Sequence, residues 1–183
     1  MADSNLTVSY NFSRFVSTAS GSTASDQFFT AGTWDYNDTN RFVGPGNLDQ
    51  THQLSFGGYA TIAHGPTVGL TGHFSSAPPT NLTLDNSSGE TGSIYTTNTT
   101  GDGQIASGSN LLPDQNPGAY MRSVKSGAGL SKVISAYNSR YAGTATPAGQ
   151  TLLTNGIFSS AELSALGGVQ QQIAPPTGTP LAN

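Results

Sequence analysis

Of the 183 residues only 9% are charged, and the chain holds 6 Lys plus Arg, a formal net charge of -4 and no cysteine. Soluble domains usually carry about 25% charged residues, so here Ser, Thr, Asn and Gly supply the polarity. The few scattered cations form no patch that would neutralise phosphates, which excludes nucleic acid as a partner. Without cysteine there is no disulfide framework, thiol catalysis or thiolate metal site.

No run approaches the roughly 18 apolar residues of a membrane helix. Residues 1–5 have neither the basic part nor the apolar core of a secretory signal. The expectation is a chain that stays inside the cell or whose native N-terminus lies elsewhere.

In chain order, residues 6–13 alternate, with Leu6, Val8, Tyr10 and Phe12 on one side and Thr7, Ser9, Asn11 and Ser13 on the other. A period of two is the signature of a strand. Residues 18–50 keep no period and are rich in turn formers, which makes them a long loop. Alternation returns at 51–63, where His52, Leu54, Phe56, Gly58, Ala60 and Ile62 share a face, and again at 67–74, where Val68, Leu70, Gly72 and Phe74 do. The short break at His64-Gly65-Pro66 joins these two as a β-hairpin. Centred on Gly65, that hairpin would place His73 opposite Gly57. Pro78 and Pro79 interrupt the ladder, and Leu82 and Leu84 keep its phase for a brief resumption. Arms of this length match the about 9–11 residues of a tilted membrane strand. A long loop at one end and a short turn at the other is the asymmetry of outer-membrane barrels.

After residue 84 the period of two disappears. Leu130, Val133, Ile134, Tyr137 and Tyr141 recur at helical spacing and predict a short amphipathic helix near 129–141. Thr146 before Pro147 starts a further helix ended by Gly156. Ser159-Ser160-Ala161-Glu162 reads as a capping box, with Gly167 as terminator, so that 147–166 forms a helical hairpin. The expected organisation is thus 1–84 as antiparallel strands with the loop at 18–50, 85–172 as a loop region with short helices, and 173–183 as a flexible tail.

Three groups of residues invite a chemical reading. Trp34, Tyr36 and Phe42 in the first loop are candidates to stack on a sugar or peptide ligand, the alternative being that they pack the loop onto its neighbours. Asn98, Thr100, Asp102 and Gln104 around Gly101 and Gly103 have the alternating oxygens of a calcium loop. Against calcium stand the neutral Asn98 and Thr100 and a Ser109 where a bidentate Glu is usual, which also fits a plain glycine-stabilised turn. His52, His64 and His73 fall at strand ends and at the turn, and parity puts His52 and His73 on opposite faces, so they share no site. No Gly-x-Ser-x-Gly elbow or Walker-type loop is present, and the carboxylates lie outside the strands, so no enzyme activity and no cofactor is expected.

The stretches Ser9-Tyr10-Asn11-Phe12-Ser13-Arg14, Asn47-Leu48-Asp49-Gln50-Thr51-His52-Gln53-Leu54-Ser55-Phe56-Gly57-Gly58 and Thr100-Gly101-Asp102-Gly103 followed by Leu111-Leu112-Pro113 resemble the barrel portion of TonB-dependent outer-membrane receptors of the Oar-like, carboxypeptidase-regulatory-domain-containing type. The resemblance implies a mainly β fold, with antiparallel strands of a partial outer-membrane β-barrel and a long loop carrying short helices. It implies a place in the outer membrane of a Gram-negative bacterium, with lipid and the remaining barrel strands as partners. The role would be that of a structural wall with a ligand-gating extracellular loop. The chain departs from the family pattern in offering three strands and a short fourth where a barrel needs about eight, and in having nothing like a plug. A different reading of the same strands is a secreted or surface-attached β-rich module, lectin- or adhesin-like, whose apolar faces close on a core.

Overall fold

The computed structural model describes residues 3–18, 35, 37–46, 48–84, 98–99, 101 and 111–176. Antiparallel strands in two small sheets dominate the fold, together with three short helices. The chain divides into two compact units, one formed by Met1–Phe15 with Leu48–Pro78 and the other by Val16–Asn47 with Pro79–Asn183. Of the stretch expected as the first loop, the described residues 18, 35 and 37–46 belong to the unit that holds the helices and 48–50 to the other.

The first unit is a three-stranded antiparallel sheet of β1 (Asp3–Phe12), β4 (His52–Thr61) and β5 (Thr67–Ser75), with β4 in the middle. The alternation seen in sequence becomes cross-strand rows. Leu6, Gly58 and Leu70 form one row, Val8, Phe56 and Gly72 the next, and Tyr10, Leu54 and Phe74 a third, all on one face. Thr7, Gly57 and Thr71, and Ser9, Ser55 and His73, are rows of the other face.

Phe12, His52 and Ser75 stand at one end of the three strands, and Asp3, Thr61 and Thr67 at the other. The chain therefore leaves the sheet by its two long connections from the same end and turns back by its short one at the opposite end. Among the described residues β1 and β5 each pair on one side only, and the sheet does not close on itself.

The hairpin centre differs from the expected one. His73 lies opposite Ser55, not Gly57, because the turn is centred on His64, which takes a left-handed φ of 62°. The Ile62 N–H donates to the Pro66 carbonyl at 3.2 Å and the Gly65 N–H to the Ile62 carbonyl at 2.8 Å, which closes the turn over the ring-bearing residue. Parity survives this shift, so His52 and His73 remain on opposite faces. The ladder also does not resume after the prolines. Thr80 and Thr83 make isolated bridges to Tyr120 and Leu111 within the second unit, and Leu84 is buried in that unit's core.

In the second unit, Val16–Ser17 (β2) pairs with Gly44–Pro45 (β3), and the helices are α1 (Gly127–Arg140), α2 (Pro147–Thr154) and α3 (Ser160–Ala165). Each helix starts where a side-chain oxygen takes an otherwise orphaned N–H: Ser126 accepts from Gly129, Thr146 from Gly149 and Ser159 from Glu162. Gly156 and Gly167, with φ of 67° and 74°, end α2 and α3 in Schellman motifs. In the second of these, Gly168 donates to the Leu163 carbonyl at 2.7 Å and Gly167 to the Ser164 carbonyl at 3.0 Å.

Leu84, Leu112 and Tyr137 form a buried core cluster, flanked by Leu82, Val133, Tyr141 and Ile173, and Leu111, Ala119, Val124, Ile134 and Leu163 are buried as well. Ile173, at the head of the expected tail, is half-buried, and both ends of the Asn138 amide hold its backbone at 2.8 Å.

Candidate functional site

Two surfaces stand out, one in each unit. The first is the apolar face of the sheet. Leu6 is 72% exposed, Phe12 63% and Leu70 66%, and Val8, Tyr10, Val68 and Phe74 are exposed with them. Singly exposed apolar side chains are ordinary, whereas a continuous face of them marks an interaction surface.

The aromatic residues of this face gather towards the end carrying the long connections. The Tyr10 hydroxyl lies 2.8 Å from His52 Nδ1, the Phe12 and His52 rings are 5.4 Å apart, and Phe56 stacks on Phe74 at 6.1 Å. Towards the other end, Gly58 and Ala60 leave a shallow concavity of about 380 Å³ beside Leu6, Val68 and Leu70. The opposite face carries hydroxyl, amide and imidazole groups, with Ser55 Oγ 2.9 Å from His73 Nδ1 and Tyr59 donating to Asp3 at 3.1 Å.

The second surface is a cleft of about 390 Å³ in the other unit. Phe42, Tyr141, Pro113 and Pro147 supply apolar walls, while Asp114, Asn116, Thr99 and Gln170 supply polar ones. Two ion pairs frame it. Arg41 contacts Asp35 at 3.1 Å while its guanidinium lies 5.1 Å from the centre of the Phe42 ring. Arg140, at the end of α1, contacts Asp114 at 2.7 Å. Burial pushes the Tyr141 phenol above its ordinary value, and the hydrogen bond to Asp114 and the charge of that carboxylate act the same way, against the opposing pull of Arg140.

Gln170 is 3% exposed, and its Oε1 has no hydrogen-bond partner among the described residues. Its Nε2 stands 3.5 Å from Thr144 Oγ1, whose own proton goes to the Tyr141 carbonyl at 2.6 Å. Either assignment of the amide leaves one polar end unsatisfied.

Of the aromatic candidates, Phe42 lines this cleft, and Trp34 and Tyr36 lie outside the described residues. Of the calcium-loop candidates, Asn98 is fully buried and its Oδ1 accepts from the Gly101 N–H at 2.7 Å, while Thr100, Asp102 and Gln104 lie outside the described residues. Among the described residues no cluster of three or more His, Asp or Glu side chains has metal-site geometry.

Sequence reasoning did not find Gln170, Asp114 or Tyr141 as cleft residues. They come from separate segments, joined by a fold that no local pattern announces. Comparison with protein-family models, curated proteins and solved structures gives no match to this chain.

Proposed function

We propose that the chain is a section of outer-membrane β-barrel wall of the TonB-dependent receptor type, with its second unit serving as ligand-gating extracellular loops. The observation that carries this reading is the continuous exposed apolar face over strands of 10, 10 and 9 residues, backed by a polar face. Strands of about 9–11 residues cross a bilayer core, with apolar side chains towards lipid and polar ones towards the lumen. The aromatic cluster of Tyr10, Phe12 and His52 suits the headgroup level at the outer rim. Both long connections leave from that rim, and the short turn at His64 belongs to the periplasmic side. The half-paired β1 and β5 are the edges at which further barrel strands would join.

A second reading is a surface-attached β-rich binding module, favoured by the separate core and cleft of the second unit. Labelling separates the two. The chain has no cysteine, so single cysteines at Leu6, Val8 and Leu70, and at Thr7 and Thr71, can each carry a spin label in phospholipid vesicles. The wall reading expects the first set to relax with lipid-soluble oxygen and the second with an aqueous metal complex. A monomeric, cooperatively folded chain in detergent-free buffer, with protected strand amides and no such alternation in vesicles, would overturn it.

A further inference from the structure

We propose that the free edge of β5 pairs with β5 of a second copy of this chain, antiparallel and about a two-fold axis, joining the two three-stranded sheets into one. The ladder fixes which backbone groups that edge offers. Ile62 donates to the Pro66 carbonyl at 3.2 Å and Ser76 to the His52 carbonyl at 2.9 Å, both in the register that sets Leu54 against Phe74. Hydrogen-bonded pairs alternate along an antiparallel ladder. Val68, Leu70, Gly72 and Phe74 therefore bond to β4, and the N–H and C=O groups of Thr67, Gly69, Thr71, His73 and Ser75 point outward.

The strand is complementary to itself. A two-fold axis beside Thr71, perpendicular to the sheet, sets Thr67 against the second copy's Ser75, Gly69 against its His73 and Thr71 against its Thr71, so that every outward group meets an outward group. The same axis keeps both apolar faces on one side, with Leu70 across from the second copy's Gly72 and Val68 across from its Phe74. The Phe56 ring fills the space over Gly72, so each Leu70 meets a ring where the strand opposite has no side chain. Nothing guards this edge: β5 has no Lys, Arg, Asp, Glu or Pro, residues by which free edges escape pairing. The β1 edge is less suited, because Asp3 stands at one end of it and Arg14 just beyond the other.

The inference goes beyond the wall reading and does not rest on it. The axis turns the second copy end over end, so the pair is the state of the free chain, and a barrel strand joining β5 would take its place. Because the chain has no cysteine, single cysteines in the full chain, held in neutral detergent micelles, report the pairing under mild oxidation with copper phenanthroline. Opposed residues of a hydrogen-bonded pair have Cα atoms about 5.5 Å apart, inside the about 4.4–6.8 Å that a disulfide spans. Thr71→Cys is expected to cross-link to itself. Gly69→Cys and His73→Cys are expected to cross-link when mixed and not singly, because each faces the other. Thr7→Cys, in the same row of the polar face but on the other edge, should stay monomeric.

Thr71→Pro supplies a readout that needs no thiol. It deletes an outward N–H and leaves the β4 ladder whole, a place where an edge strand tolerates proline. Sedimentation equilibrium in density-matched detergent should find the unmodified chain dimeric and the variant's dimer weaker by about tenfold or more, with unchanged circular dichroism. If Thr71→Pro disturbs the sheet, the cysteine series decides alone. A monomeric unmodified chain, Thr71→Cys cross-linking no stronger than Thr7→Cys, or Gly69→Cys cross-linking alone as well as in the mixture would overturn the inference. No outcome depends on the sheet meeting lipid, so failure here is distinguishable from failure of the wall reading, which the spin labels decide.

Discussion

Gly58 stands across from Leu6 in the β1–β4 ladder, so close that a Cβ on residue 58 would lie 3.1 Å from the Leu6 Cα and overlap the Asn5 carbonyl. The atoms in the way are backbone, which cannot swing aside as a side chain can. Gly58→Val is expected to destabilise the sheet by about 1–3 kcal/mol, the usual cost of overpacking. Gly69, where the nearest atom to an added Cβ is 3.7 Å away, is the control. Gly69→Ala should leave stability unchanged or slightly raised, because alanine has less backbone entropy to lose. Equilibrium urea unfolding of the two variants checks both expectations.

Val8 lies in the middle row of the apolar face, while the adjacent Thr7 is on the polar face. If that face meets lipid, Val8→Lys should reduce partitioning into vesicles by about 2–4 kcal/mol, the cost of a cation near the bilayer midplane. Thr7→Lys should have much less effect. Co-flotation with phosphatidylcholine vesicles measures both, and equal losses in the two variants would count against the wall reading.

The Glu162 carboxylate accepts from the Ser159 N–H at 2.8 Å and from its hydroxyl at 2.7 Å. The backbone hydrogen bond, and after it the hydroxyl, hold the Glu162 carboxyl below its usual value of 4.5. Since the folded value is the lower one, the contribution is present above about pH 4.5 and is lost as pH falls through the depressed value. Glu162→Gln should flatten this acid limb, as monitored by amide exchange at Leu163 and Ser164. Ser159→Ala should destabilise α3 by about 1 kcal/mol, the typical loss of an N-cap.

Tyr137 is buried in the core and donates to the Gln171 carbonyl at 3.2 Å. Burial raises its phenol above the ordinary 10.0, and Tyr141 is shifted the same way. Here the folded value is the higher one, so the contribution is complete below the ordinary value and is lost as pH climbs through the raised one. The second unit is therefore expected to unfold in alkali with tyrosinate absorbance rising in the same transition. Tyr137→Phe should cost about 1 kcal/mol at neutral pH through the lost hydrogen bond and make the alkaline transition shallower.

Several features were legible from local pattern because their causes are local. Strict alternation at Leu6–Phe12, His52–Ala60 and Val68–Phe74 dictates which side chains share a sheet face, whatever that face meets. The caps at Thr146 and Ser159 and the glycines after α2 and α3 bound their helices because orphaned backbone groups must be satisfied within a few residues. α1 runs from Gly127, two residues before the expected start, because Ser126 takes the capping role.

What tertiary structure decided is what distant segments bring to one another. The hairpin register depended on His64 entering the left-handed region, a conformation that single residue types do not announce. The pairing of β1 along all ten positions of β4 across a long connection, and the passage of Leu84 into the other unit's core, are long-range choices. The same holds for the cleft. Phe42 was a candidate by its chemistry, but Asp114, Tyr141 and Gln170 became its neighbours only once the second unit folded. A period of two specifies the face a strand presents, and only the folded chain specifies its partners, because pairing energy depends on segments that sequence proximity does not connect.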